Sequence, residues 1–486
     1  MKKKTNFDTN SILWFFIVFS IGIFSIFTNQ EINRDGILYL KQANIFNEPY
    51  LNINKIFEAH DFPLFSFLIY SISNLFGFTL YISSKVLNSL FFILLITYYK
   101  KLISLTCRNE KNIFLFSLIS ILSFAGYIDD YLPMVLRDNC FIALFITSIY
   151  YFYIAIQSKN LFHLFLSLLI IFLASFFRLE GFIFLIFFLI YFLFQSKNKY
   201  AKFTYLFLFV FLFFAIYLLD LLKFRQELYF SLLSNFDNNV INFSSYNSFI
   251  ESELKEKSNL LIIAFFIFIF FAKFIKGLGF LQSLLILFVI KIKTTIFRSD
   301  TNFRSDSNYF IFTLFGFILT LVFFNFIITG AISKRYFLCG YLLISLFIPY
   351  LLNYLKIKFF KGTFNKFYKY FLFIILFTYL SNILVDKQMY DKSAVNPDKQ
   401  AALWLEKNVI QIDSVYFIND RIKFYLKKLD WFDISLDEAV LSYELDYLVL
   451  DEAYSKTLLV KENNYQLIKT IPDSKPKIFI FKKLNT

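Results

Sequence analysis

Long uninterrupted apolar runs leave this chain few ways to fold. LFHLFLSLLIIFLASFF (161–177) and FTYLFLFVFLFFAIYLL (203–219) are apolar on every helical face, whereas a helix on a soluble core keeps one wet face. They also lack the in/out alternation over about ten residues that a transmembrane β-barrel strand needs. Composition agrees: 58% of residues are hydrophobic and 17% charged, against roughly 45–50% and 25% in soluble domains. The runs predict an all-α polytopic membrane domain. With 74 Phe and 32 Tyr in 486 residues, a single aromatic carries little functional information.

The rare residues exclude several chemistries. Cys107, Cys140 and Cys339 are far apart and sit in or beside apolar runs, which suggests neither a disulfide framework nor a Cys-based zinc site. The only histidines are His60 and His163, so HExxH chemistry is absent and no Ser/His/Asp triad is read. His163 opens an apolar run and reads as a helix-end residue.

Charge sets the topology. Lys2, Lys3 and Lys4 precede the first run, Ser11 to Thr28, and no small-residue cleavage site follows it. It reads as a retained signal anchor with a cytoplasmic N-terminus. Further spans are expected near 82–99, 112–128, 140–157, 161–177, 181–196, 203–220, 259–275, 308–330, 336–354 and 370–385, eleven in all. Each approaches the roughly 17–25 residues that a bilayer requires. Phe62–Gly77 and Leu278–Ile290 are shorter or broken, and read as interfacial or re-entrant helices. On this topology Lys and Arg dominate the cytoplasmic segments while acids slightly outnumber them in the outer loops. The net charge of +14 is thus an inside-facing membrane signal, with no nucleic-acid partner implied.

The outer side then holds a first loop (29–81), a short second loop (129–139), a loop at 221–258 and the tail. After Val385 the composition changes: a helix around Pro397–Asn408 is followed by strand-like runs at 414–418, 446–451, 465–471 and 477–483. The expected organisation is a membrane domain, 1–385, and a small extracytoplasmic α/β domain, 386–486.

Candidate chemistry lies in charged residues at the outer face: Arg34, Asp35, His60 and Asp61 in the first loop, then Asp129, Asp130, Arg137 and Asp138 in the second. Arg178 and Glu180 sit in the break between two apolar runs, and Lys334 and Arg335 between the ninth and tenth spans. Each alone reads equally as a solvated charge at a helix end. Together they repeat acids and arginines at one membrane depth, where ionisable residues are functional candidates. Carboxylates suit a general base or a metal, and arginines grip a phosphate in bidentate fashion.

RDGILYLKQANIF (34–46), HDFPLFSFLIYSISNLFG (60–77), SSKVLNSLFFILL (83–95), FFRLEG (176–181) and SKRYFL (333–338), in that order, resemble the GT-C class of glycosyltransferases. That class includes lipid A aminoarabinose transferases and protein O-mannosyltransferases. KQAALWLEKN (399–408), VYFINDRIKFYL (415–426) and ELDYLVLDE (444–452) resemble the soluble domain of many bacterial members. The resemblance implies a multi-pass enzyme of the bacterial cytoplasmic membrane with its tail outside. It moves a hexose or pentose from a polyprenyl phosphate such as undecaprenyl phosphate to a hydroxyl of a lipid, glycan or protein. It implies Asp35 as the catalytic acidic residue and Asp138, or else Asp129 or Asp130, as the second. Arg335, Arg178 and Arg137 would face the donor phosphate. Arg34, Tyr39, His60, Asp61, Lys85, Glu180 and Tyr336 would line the substrate region. Related sites work with or without a divalent metal, so that requirement stays open, and no other cofactor is implied. One departure stands out: aminoarabinose transferases carry a Lys before a Pro-Pro pair where this chain reads His60-Asp61-Phe62-Pro63, which counts against aminoarabinose as the sugar. Lys85 lies nearby, and reads equally as a lysine snorkelling to the interface.

The rival reading is a carrier or flippase, or a polymerase, for lipid-linked glycans. A carrier needs charged or broken helices near the midplane, often in two repeated halves. The span interiors here are almost free of charge, and no internal repeat is visible.

Overall fold

The computed structural model describes residues 9–28, 32–48, 56, 63–106, 113–124, 126–195, 259–278, 281–286, 306–329, 332–359, 365–393, 397–409, 415–417, 420–426, 445–451, 465–471 and 477–484. They group into two compact units. The first draws on Met1–Ile26, Asn88–Pro133 and Arg137–Ser381, the second on Phe27–Leu87, Met134–Leu136 and Asn382–Thr486.

The first unit is helical. It takes most of α1 (Thr9–Thr28) and of α4 (Leu80–Thr106), whose remaining residues belong to the second unit. With these come α5 (Ile113–Leu122), α6 (Asp138–Ser158), α7 (Leu161–Ser175), α8 (Glu180–Gln195), α9 (Asn259–Gly277) and α10 (Asp306–Thr329). Then follow α11 (Leu338–Ser345), α12 (Ile348–Phe359) and α13 (Asn365–Ser393), the last continuing beyond Ser381 into the second unit. Apolar packing between helices gives little specificity where the solvent is itself hydrocarbon, so small and hydroxylated side chains carry the interhelical contacts. Ser148 and Ser167 tie α6 to α7 reciprocally, each hydroxyl donating to the other's carbonyl at 2.9 Å. Tyr99 on α4 reaches Ser120 of α5 at 3.1 Å and Ser345 of α11 at 2.6 Å. Tyr153 of α6 donates to Asn308 of α10 at 3.2 Å.

Length separates these helices. Among the described residues, Leu80–Thr106, Asp138–Ser158 and Asn308–Ile327 are each long and apolar enough to cross a membrane. The pair Lys334–Ser345 and Ile348–Lys356, bent by 44°, is a fourth only if its two halves form one span. Ile12–Thr28, Leu161–Ser175, Glu180–Gln195 and Phe367–Ser381 are apolar but shorter. At about 1.5 Å per residue, the 15 residues of α7 cover roughly 22 Å of a hydrocarbon core of roughly 30 Å. Among the described residues three of the eleven expected spans are full-length, or four if the bent pair is one span. The run at 203–220 and the loop at 221–258 lie outside them, as do Lys2–Lys4, Cys107, His60 and Asp61. Of Leu278–Ile290, a helical stretch at 281–286 is described.

The second unit joins α2 (Arg34–Ile45) and α3 (Leu64–Phe76) to the tail. α3 fills the expected interfacial segment. It buries Phe65 and Ile69 and exposes Phe67, Leu75 and Phe76, and Gly77 ends it in the left-handed region at φ 69°. The expected tail elements are α14 (Pro397–Asn408), β1 (Val415–Phe417), β2 (Tyr447–Asp451), β3 (Tyr465–Ile471) and β4 (Ile478–Lys483), and the structure adds a helix not read from the sequence, α15 (Asp420–Tyr425). The sheet order is β1-β2-β4-β3, with β1 and β2 parallel and the other pairs antiparallel. Alternation along β2 and β4 splits the core. Val449, Ile478 and Ile480 pack with Ala401 and Leu405 of α14 and Ile422 of α15, while Leu448, Leu450 and Phe481 face the other way. α2 packs against α3 and α15.

Candidate active site

Two helix starts and two turns build a cluster of ionised side chains in the first unit. Asp138 is the first residue of α6, where its carboxylate complements the helix N-terminus. It is 2% exposed. α7 ends at Ser175, and the chain turns through Phe176–Leu179 into α8, which begins at Glu180. Gly181 permits this turn: a Cβ there would lie 2.6 Å from both Cα and N of Ser175. Tight backbone bonds hold it, Arg178 N–H to Ala174 at 3.2 Å and Gly181 N–H to the Arg178 carbonyl at 3.0 Å. The turn presents Arg178 to three partners. Its Nη1 donates to Asp138 Oδ1. Its Nε and Nη2 grip Glu180 in bidentate fashion, at 3.1 and 2.5 Å. Its guanidinium carbon lies 5.9 Å from the ring centres of both Phe141 and Tyr336, within reach of a cation–π attraction.

Arg335 comes from the second turn, the 3₁₀ segment Lys334–Phe337 that leads into α11. Ser333 caps it, its Oγ accepting from the Arg335 N–H at 3.3 Å. The Arg335 Nε lies 3.2 Å from Asp138 Oδ2, close enough for an ion pair but not aligned as a hydrogen bond. Asp138 therefore stands between two guanidiniums, one on each oxygen. Burial works against the charge of Arg178, but the Glu180 carboxylate more than offsets it, and the guanidinium pKa is raised. Arg137, next to Asp138 in the chain, lies in the field of Glu180.

The segment around 127–139 adds a residue that sequence reasoning missed. Tyr127–Tyr131 forms a single π-helical turn, closed by the Leu132 N–H on the Tyr127 carbonyl at 2.8 Å. Such turns recur at functional sites. Ser25 donates to the Ile128 carbonyl at 2.5 Å, and Asn88 and Asn139 both donate to the Leu132 carbonyl, at 3.2 and 3.3 Å. The turn places the Tyr131 hydroxyl against the Ser333 side chain and within the field of Arg335. Burial first, and then the neighbouring Asp130, raise the Tyr131 pKa, and Ser333 and Arg335 only partly offset this. Nothing in YIDDY signals a π-turn; Ser333 was legible as a residue able to cap the turn that carries Arg335.

The remaining expected residues lie elsewhere. Asp130 is exposed and Asp129 half-buried. Arg34 and Asp35 occupy the first turn of α2, in the second unit. Tyr39 is buried on the same helix with its ring edge-on to Phe65 at 5.1 Å, a packing position between α2 and α3. Lys85 also belongs to the second unit and is 3% exposed, its ammonium 5.1 Å from the ring centre of Tyr81. It is therefore not a lysine reaching into open water. Tyr81 in turn packs on Phe424, just beyond Lys423 on α15, at 5.4 Å. Among the described residues no three His, Cys, Asp or Glu gather as metal ligands would.

No protein-family model matches the chain, and no curated protein is similar to it in sequence. Solved structures do match. The apo crystal structure of ArnT from Cupriavidus metallidurans superimposes with a TM-score of 0.53 at 10% identity, covering 97% of each chain. The crystal structure of the same protein bound to undecaprenyl phosphate gives 0.50 at 9% identity, covering 97% of this chain and 98% of that one. The chain has the ArnT fold. The GT-C resemblance drawn from scattered motifs thus holds at the level of architecture over nearly the whole length.

Proposed function

We propose that this protein is a membrane glycosyltransferase of the GT-C type, which moves a sugar from a polyprenyl-phosphate donor to a hydroxyl acceptor. One observation carries the reading: within an ArnT fold, the turns after α7 and before α11 bring Arg178 and Arg335 together on Asp138. With Arg137, three arginines face the two carboxylates of Asp138 and Glu180, and the surplus positive charge suits a phosphate. ArnT has been crystallised with undecaprenyl phosphate, and a polyprenyl phosphate is the ligand assigned to this cluster. Arginines stabilise the negative charge that gathers on the phosphate as its bond to the anomeric carbon breaks. In the same step the acceptor oxygen bonds to that carbon with inversion and gives its proton to a carboxylate. Asp35, in the RDGILY stretch at the start of α2, is assigned as that base. Asp138, with a guanidinium on each oxygen, is assigned to holding Arg178 and Arg335 in place. The enzyme works at the outer face of a bacterial cytoplasmic membrane with its tail outside.

The test is direct binding to the full-length chain in a bilayer disc. Undecaprenyl phosphate should bind, undecaprenol should not, and Arg178→Gln and Arg335→Gln should each weaken binding at least tenfold. Equal affinity for the phosphate and the alcohol would remove the phosphate reading.

A further inference from the structure

The far end of α6 carries a second polar assembly. Tyr150 lies twelve residues beyond Asp138 on that helix, roughly 18 Å along its axis at 1.5 Å per residue. There α4 approaches its end, α6 approaches its own, and α7 begins. The Lys101 ammonium sits 4.6 Å from the ring centre of Tyr98 and 5.7 Å from that of Tyr150. The two rings meet edge to face at 5.2 Å. The hydroxyls of Tyr98 and Tyr151 lie 3.1 Å apart, and Tyr151 stacks on His163 at 6.2 Å. The Nδ1 of His163 is buried and makes no hydrogen bond. Lys101 itself is exposed, and so is Lys159, which ends α6 in the left-handed region at φ 53°.

An ordinary aromatic belt consists of separate rings lying at headgroup depth. Here Tyr98 of α4 and Tyr150 of α6 flank one ammonium, and Tyr151 links Tyr98 to His163 of α7. The segments that supply them, 80–109 and 139–179, contain no Asp or Glu, so the assembly offers hydroxyl, imidazole and ammonium groups to an anion. Lys101, five residues from the end of α4, and His163, third in α7, lie toward helix ends, where basic pockets between spans hold anionic lipids. We propose that this end of α4, α6 and α7 binds the phosphodiester headgroup of an anionic membrane phospholipid. Lys101 supplies the charge, and the Tyr98–Tyr151 hydroxyls and His163 supply hydrogen bonds. A choline headgroup would set its own cation against Lys101, so the site selects anionic over zwitterionic lipid.

Native mass spectrometry of the full-length chain in detergent micelles tests this, with phosphatidylglycerol, phosphatidylcholine of the same acyl chains, and inorganic phosphate as separate probes. Wild type should retain phosphatidylglycerol in clear preference to phosphatidylcholine. Lys101→Gln should lower that retention by about fivefold, the worth of one basic residue at an anionic surface. The Tyr98→Phe/Tyr151→Phe double variant keeps both rings, and so the packing, yet should also lower it. Arg335→Gln should leave it unchanged, which separates this site from the donor site proposed above. Unchanged retention in Lys101→Gln, or equal retention of the two lipids, would overturn the proposal. So would complete displacement by inorganic phosphate, which would mark a site for the free ion.

Discussion

Replacing Asp138 with Asn probes the linchpin of the cluster. The amide keeps the size of the carboxylate and can still accept one hydrogen bond from Arg178, but its charge is gone. Arg178 and Arg335 would then face each other across a side chain that is 2% exposed. Breaking a buried pair by removing one partner costs about 3–5 kcal/mol, because the other charge stays buried. Two features lower that figure here. Glu180 still grips Arg178 at 2.5 and 3.1 Å, and Arg335 is 24% exposed, so water screens it in part. A loss of about 2–3 kcal/mol in unfolding free energy is expected for Asp138→Asn. Removing the stranded charge as well should recover part of it. The double variant Asp138→Asn/Arg335→Gln should therefore be more stable than the sum of the single changes requires, with a coupling of about 1–2 kcal/mol. Equilibrium unfolding of the four proteins in mixed micelles closes the cycle. Effects that add to within about 0.5 kcal/mol would refute a shared buried carboxylate.

Four further outcomes follow from the same geometry. Asp35→Asn should leave undecaprenyl phosphate binding intact and lower turnover by about 10²–10⁴-fold, the usual share of general-base catalysis; near-wild-type transfer by a folded variant would end that assignment. Arg335→Lys keeps charge but loses the planar fork, so binding of undecaprenyl phosphate should weaken, and an unchanged Kd would return Arg335 to a purely structural role. Gly181→Ala drives a Cβ into the Ser175 backbone, which should cost about 1–3 kcal/mol and shift Arg178; a wild-type melting temperature would contradict the described turn. In the tail, burial raises the Asp398 pKa, and Arg421, 3.7 Å away, only partly offsets this. A raised carboxyl pKa in the folded state means that its favourable contribution is fully present at pH below the ordinary value and is lost as pH rises through the folded value. Asp398→Asn should therefore gain stability relative to wild type between acid and neutral pH, and a gain that shrinks as pH rises would reverse the argument.

How much of this was legible beforehand depended on how local each feature is. Asp138, Arg178, Glu180 and Arg335 were all visible as charges beside apolar runs, and FFRLEG and SKRY are turns that advertise themselves by interrupting such runs. Tyr131 was invisible because its role depends on a π-turn with no marker in YIDDY. Tyr39 stands in a motif stretch, yet its side chain is spent on Phe65.

Local chemistry therefore determined the membrane class, most helix positions and the tail. Apolar runs in the membrane domain and the amphipathic and strand-like stretches of the tail act over a few residues, and so place α14 at Pro397–Asn408 and β3 at Tyr465–Ile471 to the residue. Tertiary structure decided everything that joins distant residues. The 336–354 run, continuous in sequence, breaks at Leu346–Phe347 with a 44° bend, beside a hydrogen bond that Ser120 donates to the Ser345 carbonyl from 225 residues away. Asp138 accepts from Arg178, 40 residues off, and forms an ion pair with Arg335, nearly two hundred residues away. No periodicity encodes such pairings, because a buried charge is neutralised by whichever partner the packed helices bring within a few ångströms.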